Sequence, residues 1–459
     1  MCAIRTHAVS IFQTTSTLFR GRLKRQIATL NDLTETGKGK TKVAAGYGQT
    51  AVKRSYGYDR TGNLTHSTDQ RTGTTQFEYD KLGRITKAGS ELFAFDPAHN
   101  ILSDDLNAVP DNRLKTYNGT TYYYDDLGNL IHRELADGEV QNYFYDLHDQ
   151  LVKAEIFKKD GTKETWSYTY DALGRRIGKG RLKTSQEVSD DLENQTRFVW
   201  DGSHLLQEVR PDGRYTYIYT DQESYEPLAQ VHDWTNAEGE NQQQTRYFHC
   251  DQIGIPREMT DKDGNLLWFG NYTGWGRLKE ETKVTDSAYQ PFRLQNQYAD
   301  RETGLHYNFF RYYEPDAGRF VNQDPIGLDG GINLYQFAFN ATKWIDPLGL
   351  EKCPQKCKPI IESINEKTSR VEQRYGDLLL DRHQLFSKHK NKRNKHPIHG
   401  SYVGHMEKFK EEQQDLNGLI TQATMEGCGE HIPAKARTMA EKRTPSNPNR
   451  ALARELGYT

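Results

Sequence analysis

Tyr79-Asp80-Lys81-Leu82-Gly83-Arg84-Ile85 is the stretch that decides the fold, because the chain keeps repeating it. The same order of residue types stands at Tyr58-Asp59-Arg60-Thr61-Gly62-Asn63-Leu64, at Tyr124-Asp125-Asp126-Leu127-Gly128-Asn129-Leu130 and at Tyr170-Asp171-Ala172-Leu173-Gly174-Arg175-Arg176. Tyr145-Asp146-Leu147-His148-Asp149-Gln150-Leu151 and Phe95-Asp96-Pro97-Ala98-His99-Asn100-Ile101 are looser copies. Each unit has a physical logic. An aromatic closes one strand, Asp bonds back to its own backbone, Gly takes a positive φ, and an aliphatic residue opens the next strand. Between units polar and aromatic residues alternate, as in Thr75-Gln76-Phe77-Glu78-Tyr79. Alternation of period two with turn signals at short spacing predicts hairpins, and their repetition predicts hairpins stacked into one long sheet.

Composition agrees with that reading. Among 459 residues there are 27 Tyr and 38 Gly but only 5 Met, which favours strands and tight turns over helices. Mean hydropathy is -0.90, low for one thick core and in keeping with a thin sheet. No apolar run approaches the length of about 18 residues that a membrane helix needs. The start, MCAIRTHAVSIFQTTSTLFRGRLKRQ, has no continuous apolar segment of the secretory kind, so export would depend on other machinery. Five scattered cysteines (Cys2, Cys250, Cys353, Cys357, Cys428) read as free thiols of a reducing cytoplasm. Cys353 and Cys357 are spaced to share a helix face, which permits a metal pair without requiring one.

A second doubled signature closes the repeat region. Asp324-Pro325-Ile326-Gly327 and Asp346-Pro347-Leu348-Gly349 share the pattern Asp-Pro-x-Gly. Each fits a type I turn, with Asp first, Pro second and Gly fourth. The alternative is a carboxylate pair that shares a proton, one Asp activating water while the other protonates a scissile carbonyl oxygen. Spacing alone leaves both readings open.

The Y-D-x-x-G-N/R-L/I units resemble the YD repeats of the RHS family, the rearrangement hotspot proteins related to teneurins and insecticidal toxin-complex subunits. The resemblance runs over residues 51–350 and is most specific over 245–350. There it includes Tyr247-Phe248-His249-Cys250-Asp251-Gln252-Ile253-Gly254-Ile255-Pro256-Arg257, Gln297-Tyr298-Ala299-Asp300-Arg301-Glu302-Thr303-Gly304-Leu305-His306-Tyr307, Arg311-Tyr312-Tyr313-Glu314-Pro315, Gly318-Arg319-Phe320 and the doubled Asp-Pro signature.

This resemblance implies a mainly β fold, a hairpin ribbon that spirals into a hollow shell, here a partial one, followed by a small all-α domain. The corresponding boundaries are a poorly defined segment at 1–50, a β-shell at 51–244, a core at 245–350 and a tail at 351–459. It implies that Asp324 and Asp346 are the dyad of a self-cleaving aspartyl site, that Leu350–Glu351 is the bond cut, and that Arg319 is a supporting charge. No cofactor is expected for that step. It also implies a bacterial toxin of interbacterial competition, read here as the C-terminal part of a longer protein whose variable tail is the toxic part. Such an effector is made in the producer's cytoplasm, exported by secretion machinery such as the type VI system, and delivered into target cells. A cognate immunity protein protects the producer.

The tail has its own character. Ile360–Lys367, Val371–Phe386, His405–Ile420 and Ala434–Arg443 read as four helices by apolar spacing and by the flanking prolines. After Leu350 there are 20 Lys/Arg against 14 Asp/Glu, so the tail is basic while the rest is acidic. Lys388, Lys390, Lys392, Arg393 and Lys395 form a run that suits phosphate contacts with nucleic acid, or a solvated loop. Beside it, His399 and His405 fit the acid and base of a metal-independent ribonuclease. With Glu407 they fit a divalent metal in a metal-dependent nuclease, although no standard zinc signature is present. A histidine-rich cap of the third helix is the plain alternative. Two other readings stay open: a membrane-damaging tail, or a non-enzymatic displaced cassette whose tyrosine-rich sheet binds surfaces.

Overall fold

The computed structural model describes residues 11–17, 23–30, 50–183, 192–222, 224–285, 288–350, 353–354, 357–379, 402–425, 428 and 432–445. The chain divides into two compact units, Met1–Lys352 and Cys353–Thr459.

The first unit is a ribbon of antiparallel strands laid down in chain order. Seven strands from Ile11–Thr17 to Glu91–Leu92 form one sheet, and fifteen from Thr116–Tyr117 to Leu278–Lys283 form a second. The repeat sequence explains the stacking. Asp80 Oδ1 accepts from the amides of Leu82 and Arg84, and Asp171 Oδ1 does the same for Leu173 and Arg175. Gly83 sits at φ +79 to complete the turn. In the two looser copies, His99 (φ +67) and Asp149 (φ +57) occupy the glycine place, so the turn persists where the sequence has drifted.

Three of the repeat tyrosines share one task. Each hydroxyl donates to the carbonyl of the aliphatic residue that left the preceding turn. Tyr79 reaches Leu64 O (2.9 Å), Tyr145 reaches Leu130 O (2.9 Å) and Tyr170 reaches Leu151 O (2.8 Å). These three Tyr-Asp units are thereby tied to the units before them.

The ribbon comes back on itself. Arg54 pairs with Glu258, 204 residues away in sequence, and Arg71 reaches the same carboxylate at 3.1 Å. The Gly274 amide donates to Glu91 at 2.7 Å. Within this turn lies the segment 288–350, and it holds the ribbon from inside. Asp300 binds Arg176 and Lys179, Glu314 binds Arg133, and Tyr289 and Tyr298 donate to Glu208. Asn340 donates to Gly83 O (2.7 Å), Tyr335 to Gly128 O (2.8 Å), and Leu130 N to Val321 O (3.0 Å). The segment carries a small sheet of Tyr298–Ala299, His306–Asn308, Arg311–Glu314 and Arg319–Phe320. Its aromatic side chains and those of the ribbon's inner face make one core, with Tyr307, Tyr313, Phe320, Phe337 and Trp268 all buried.

The second unit contains three helices among the described residues: α1 (Lys358–Leu378), α2 (Tyr402–Met425) and α3 (Ala434–Ala440). Phe409, Leu416 and Ala423 recur every seven residues on α2 and are fully buried against Ile360, Ile364, Val371 and Leu378 of α1. The sequence reading divides α1 in two, at 367 and 371. The structure makes it continuous, because Thr368 and Ser369 bond back to the carbonyls of Ile364 and Asn365 instead of breaking the helix. Residues 380–386 of the expected second helix lie outside the described residues.

The cysteines are not all free thiols. Cys357 and Cys428 form a disulfide across 71 residues of sequence. Antiparallel packing of α1 on α2 brings the start of one helix beside the end of the other, which linear spacing could not reveal. Cys357 is thus unavailable to pair with Cys353 on a metal. Among the described residues Cys250 is a free, buried thiol. No helix among them is long and apolar enough to cross a membrane.

Candidate active site

Both Asp-Pro-x-Gly stretches are turns, and the turns bring their carboxylates together. Gly327 N donates to Asp324 O at 2.9 Å and Ile326 N to Asp324 Oδ1 at 3.2 Å. Gly349 N donates to Asp346 O at 3.4 Å and Leu350 N to Asp346 Oδ1 at 2.9 Å. The two readings of the motif are therefore compatible. Each turn fixes its Asp, and one guanidinium nitrogen joins the pair: Arg311 Nη2 lies 3.0 Å from Asp324 Oδ2 and 3.3 Å from Asp346 Oδ2.

The triad is dry. The side chains of Arg311, Asp324 and Asp346 are 0%, 2% and 1% exposed, so their charges interact in a low-dielectric setting. Arg311 stacks over the Phe320 ring at 3.6 Å. Its Nη1 donates to Leu334 O (3.1 Å) and its Nε to Gly349 O. Burial lowers the Arg311 guanidinium below its ordinary value, and the Asp346 and Asp324 carboxylates push it back up.

The carbonyl of Leu350 faces the same gap as Asp324. A Cβ added to Gly330 would lie 2.2 Å from Asp324 Oδ2 and 3.1 Å from Leu350 O. Only a glycine leaves room for a carboxyl and that carbonyl side by side.

Arg319, expected from Gly-Arg-Phe as the supporting charge, is placed elsewhere. It donates to Asn100 Oδ1 (3.3 Å) and to Asn112 O, and it stacks on Tyr335 at 4.9 Å. It fastens the inner segment to the ribbon near the looser repeat at 95–101, whereas the cation beside both aspartates is Arg311. The physical reason is strand pairing. Arg319 pairs with Glu314 across the small sheet, while Arg311 sits at that strand's other end, beside Asn308.

The comparisons with known proteins agree with the repeats. The family model described as RHS Repeat matches residues 58–92, and the one described as RHS protein matches 246–282. The chain belongs to the RHS family.

Its RHS relatives include the double-stranded DNA deaminase toxin A of Burkholderia cenocepacia, 38% identical over 66% of this chain and 23% of the relative. Toxin protein Tse5 of Pseudomonas aeruginosa is 32% identical over 65% of this chain and 27% of its own length. The probable deoxyribonuclease RhsA of Dickeya dadantii is 30% identical over 66% and 21%. The RHS chain thus spans about a quarter of the length of these three relatives.

Of the sequence-derived residues of the tail, His405 and Glu407 are among the described residues. His399, Lys388, Lys390, Lys392, Arg393 and Lys395 lie outside the described residues. His405 is buried in the first turns of α2, its Nδ1 3.6 Å from Asp377 Oδ2 at the end of α1. Glu407 is exposed. Two positions along a helix are about 200° apart, so Glu407 and His405 face different sides. Among the described residues no three His, Cys, Asp or Glu side chains converge as metal ligands. Sequence reasoning missed Arg311, Gly330 and Asp377. The only available hint was an arginine at the head of the aromatic strand Arg311-Tyr312-Tyr313.

Proposed function

We propose that this chain is the C-terminal part of an RHS toxin, in which a self-cleaving aspartyl site cuts Leu350–Glu351 and frees the basic helical tail. The observation that carries the reading is the buried Arg311, which touches both Asp324 and Asp346 beside the Leu350 carbonyl. One buried cation balances one carboxylate, so the triad is neutral when the two aspartates hold one proton between them, and burying net charge is costly. That is the protonation state an aspartyl dyad needs.

The roles follow from position. Asp324, facing the Leu350 oxygen, carries the proton and donates it to that oxygen as water attacks the carbonyl carbon. Asp346 takes the proton the water releases. The tetrahedral species then collapses: the C–N bond breaks, Glu351 nitrogen receives the proton from Asp346, the original oxygen returns its proton to Asp324 as the C=O re-forms, and Leu350 keeps the new hydroxyl as a carboxyl group. No metal or cofactor enters the balance.

The tail is the toxic part in this reading. Three relatives share about two thirds of this chain, and the two whose names state an activity, a deaminase and a probable deoxyribonuclease, differ in it. What they share therefore does not set the activity. The tail's excess of 20 Lys/Arg over 14 Asp/Glu suits a nucleic-acid target, and a producer of such a toxin needs an immunity protein.

Expression of the full chain tests the core. Wild type should yield two fragments split after Leu350 by intact mass, and Asp346→Asn a single full-length chain. A mutant that is still cut normally removes this dyad. Induced expression with total RNA and chromosomal DNA followed together tests the tail. Degraded nucleic acid supports the nuclease, whereas leaking membranes with intact nucleic acid or healthy growth overturns it.

A further inference from the structure

The peptide that leads into the scissile bond is held by its backbone, one carbonyl after another. Asn308 Nδ2 donates to Asp346 O at 2.8 Å. Asn296 Nδ2 donates to Pro347 O at 2.6 Å. Phe310 N donates to Leu348 O at 3.3 Å, and Arg311 Nε donates to Gly349 O. Four successive carbonyls each have a donor, and all four donors come from the single stretch 296–311. The next carbonyl, that of Leu350, is the one facing Asp324 at Gly330.

This stretch is also held in uncommon backbone geometry. Asn296 has φ +61 and Phe309 has φ +60. A left-handed Asn is tolerated, but a left-handed Phe is strained and persists only where its surroundings impose it. Phe309 lies between Asn308 and Phe310, two of the four donors, so the left-handed residue shapes the turn that presents them. Asn308 is completely buried, and its Oδ1 has no hydrogen-bond partner, so the side chain serves through Nδ2.

We propose that Asn296, Asn308, Phe310 N and Arg311 Nε form a main-chain clamp that positions Leu350 for cleavage, choosing the bond by backbone register. Building on the self-cleavage reading, the inference adds how the bond is selected. Asn296 and Asn308 are positioning residues, acting on the peptide at 346–347 and not on the reacting atoms. Because none of the four contacts involves the Leu350–Glu351 bond itself, hydrolysis leaves them intact. Residues 346–350 then stay seated with their new carboxyl group in the site, and each molecule cuts once.

Full-length variants test the clamp, with the cleaved fraction over time and the fragment masses as readouts. Asn296→Gly is the central variant, since glycine accepts a positive φ and only the donor is lost. Losing one such hydrogen bond should slow cleavage about tenfold, with part of the product cut at a neighbouring bond. Asn308→Asp keeps the shape but replaces the donor with a carboxyl that donates only when protonated. Its rate relative to wild type at the same pH should therefore rise as pH falls from 7 to 4, which a merely structural loss would not produce. If wild type is not cut at all, the self-cleavage reading fails. If wild type is cut, and Asn296→Gly is cut at the same rate and bond with no relative gain for Asn308→Asp at low pH, the clamp is refuted while the protease stands.

Discussion

The two units of this chain hold themselves together by different means. The ribbon unit uses buried ion pairs and repeated hydrogen bonds across long sequence separations. The tail is a small helical cluster whose two long helices are joined at one end by a covalent bridge. Arg176 shows the first strategy. It is 1% exposed, its guanidinium meets Asp300 at 2.5 and 3.0 Å, and it faces the rings of Tyr168, Phe198, Tyr298 and Tyr307. Burial opposes ionisation of Asp300, yet Arg176 and Lys179 hold its carboxyl below the ordinary range. Cys357–Cys428 shows the second. A ribbon wrapped on its own inner segment can distribute its fastening over many sites, whereas three helices with a short list of buried side chains cannot.

The largest effect should come from breaking the ionic strategy. Asp300→Ala leaves Arg176 and Lys179 buried without their shared carboxylate. Removing one partner of a buried pair costs about 3–5 kcal/mol, because the remaining charge is stranded. The ribbon unit's denaturant midpoint should fall accordingly, and a loss under about 1 kcal/mol would mean that the cluster is dispensable.

A smaller effect should come from opening the bridge. Joining residues 71 apart stabilises the tail by about 2–4 kcal/mol, chiefly by restricting its unfolded state. Cys357→Ser with Cys428→Ser, or reductant on wild type, should lower the helical transition seen at 222 nm. The β transition should stay in place, since the ribbon unit holds only the buried Cys250 among the described residues. A helical transition indifferent to reductant would remove the contrast between the two units.

How much of this was legible depended on range. The hairpins were legible because Asp80, Gly83 and their counterparts act within five residues of themselves, and a local rule suffices. The aspartate pair was pointed to by the family resemblance, since the doubled turn alone left both readings open. Its arginine was not. Arg319 is nearer to Asp324 in sequence than Arg311 is, but tertiary packing sends Arg319 to Asn100 and Asn112 and Arg311 to the carboxylates. The partners of Arg176 and the disulfide were hidden for the same reason, standing 124 and 71 residues apart. Asn308 was hidden because an asparagine that donates to a backbone carbonyl looks in sequence like any turn residue.

The smallest expected effect sharpens the comparison most finely, because it probes one repeat at a time. Tyr145→Phe keeps the half-buried ring and removes only the hydroxyl that donates to Leu130 O. A single such bond is worth about 1 kcal/mol net, and the carbonyl it leaves must find another donor. Tyr79 and Tyr170 make the equivalent contact in other repeats, but each also has a second hydroxyl partner, Thr342 and Tyr312 respectively. Their Phe variants should cost more than Tyr145→Phe, since two inter-segment bonds go instead of one. If stability is a sum over neighbouring hairpins, Tyr79→Phe and Tyr145→Phe combined should add within about 0.5 kcal/mol. A combined loss well beyond the sum, measured by the same denaturant titration, would mean that the ribbon unfolds as one body fastened by the segment 288–350 and not as a chain of linked repeats.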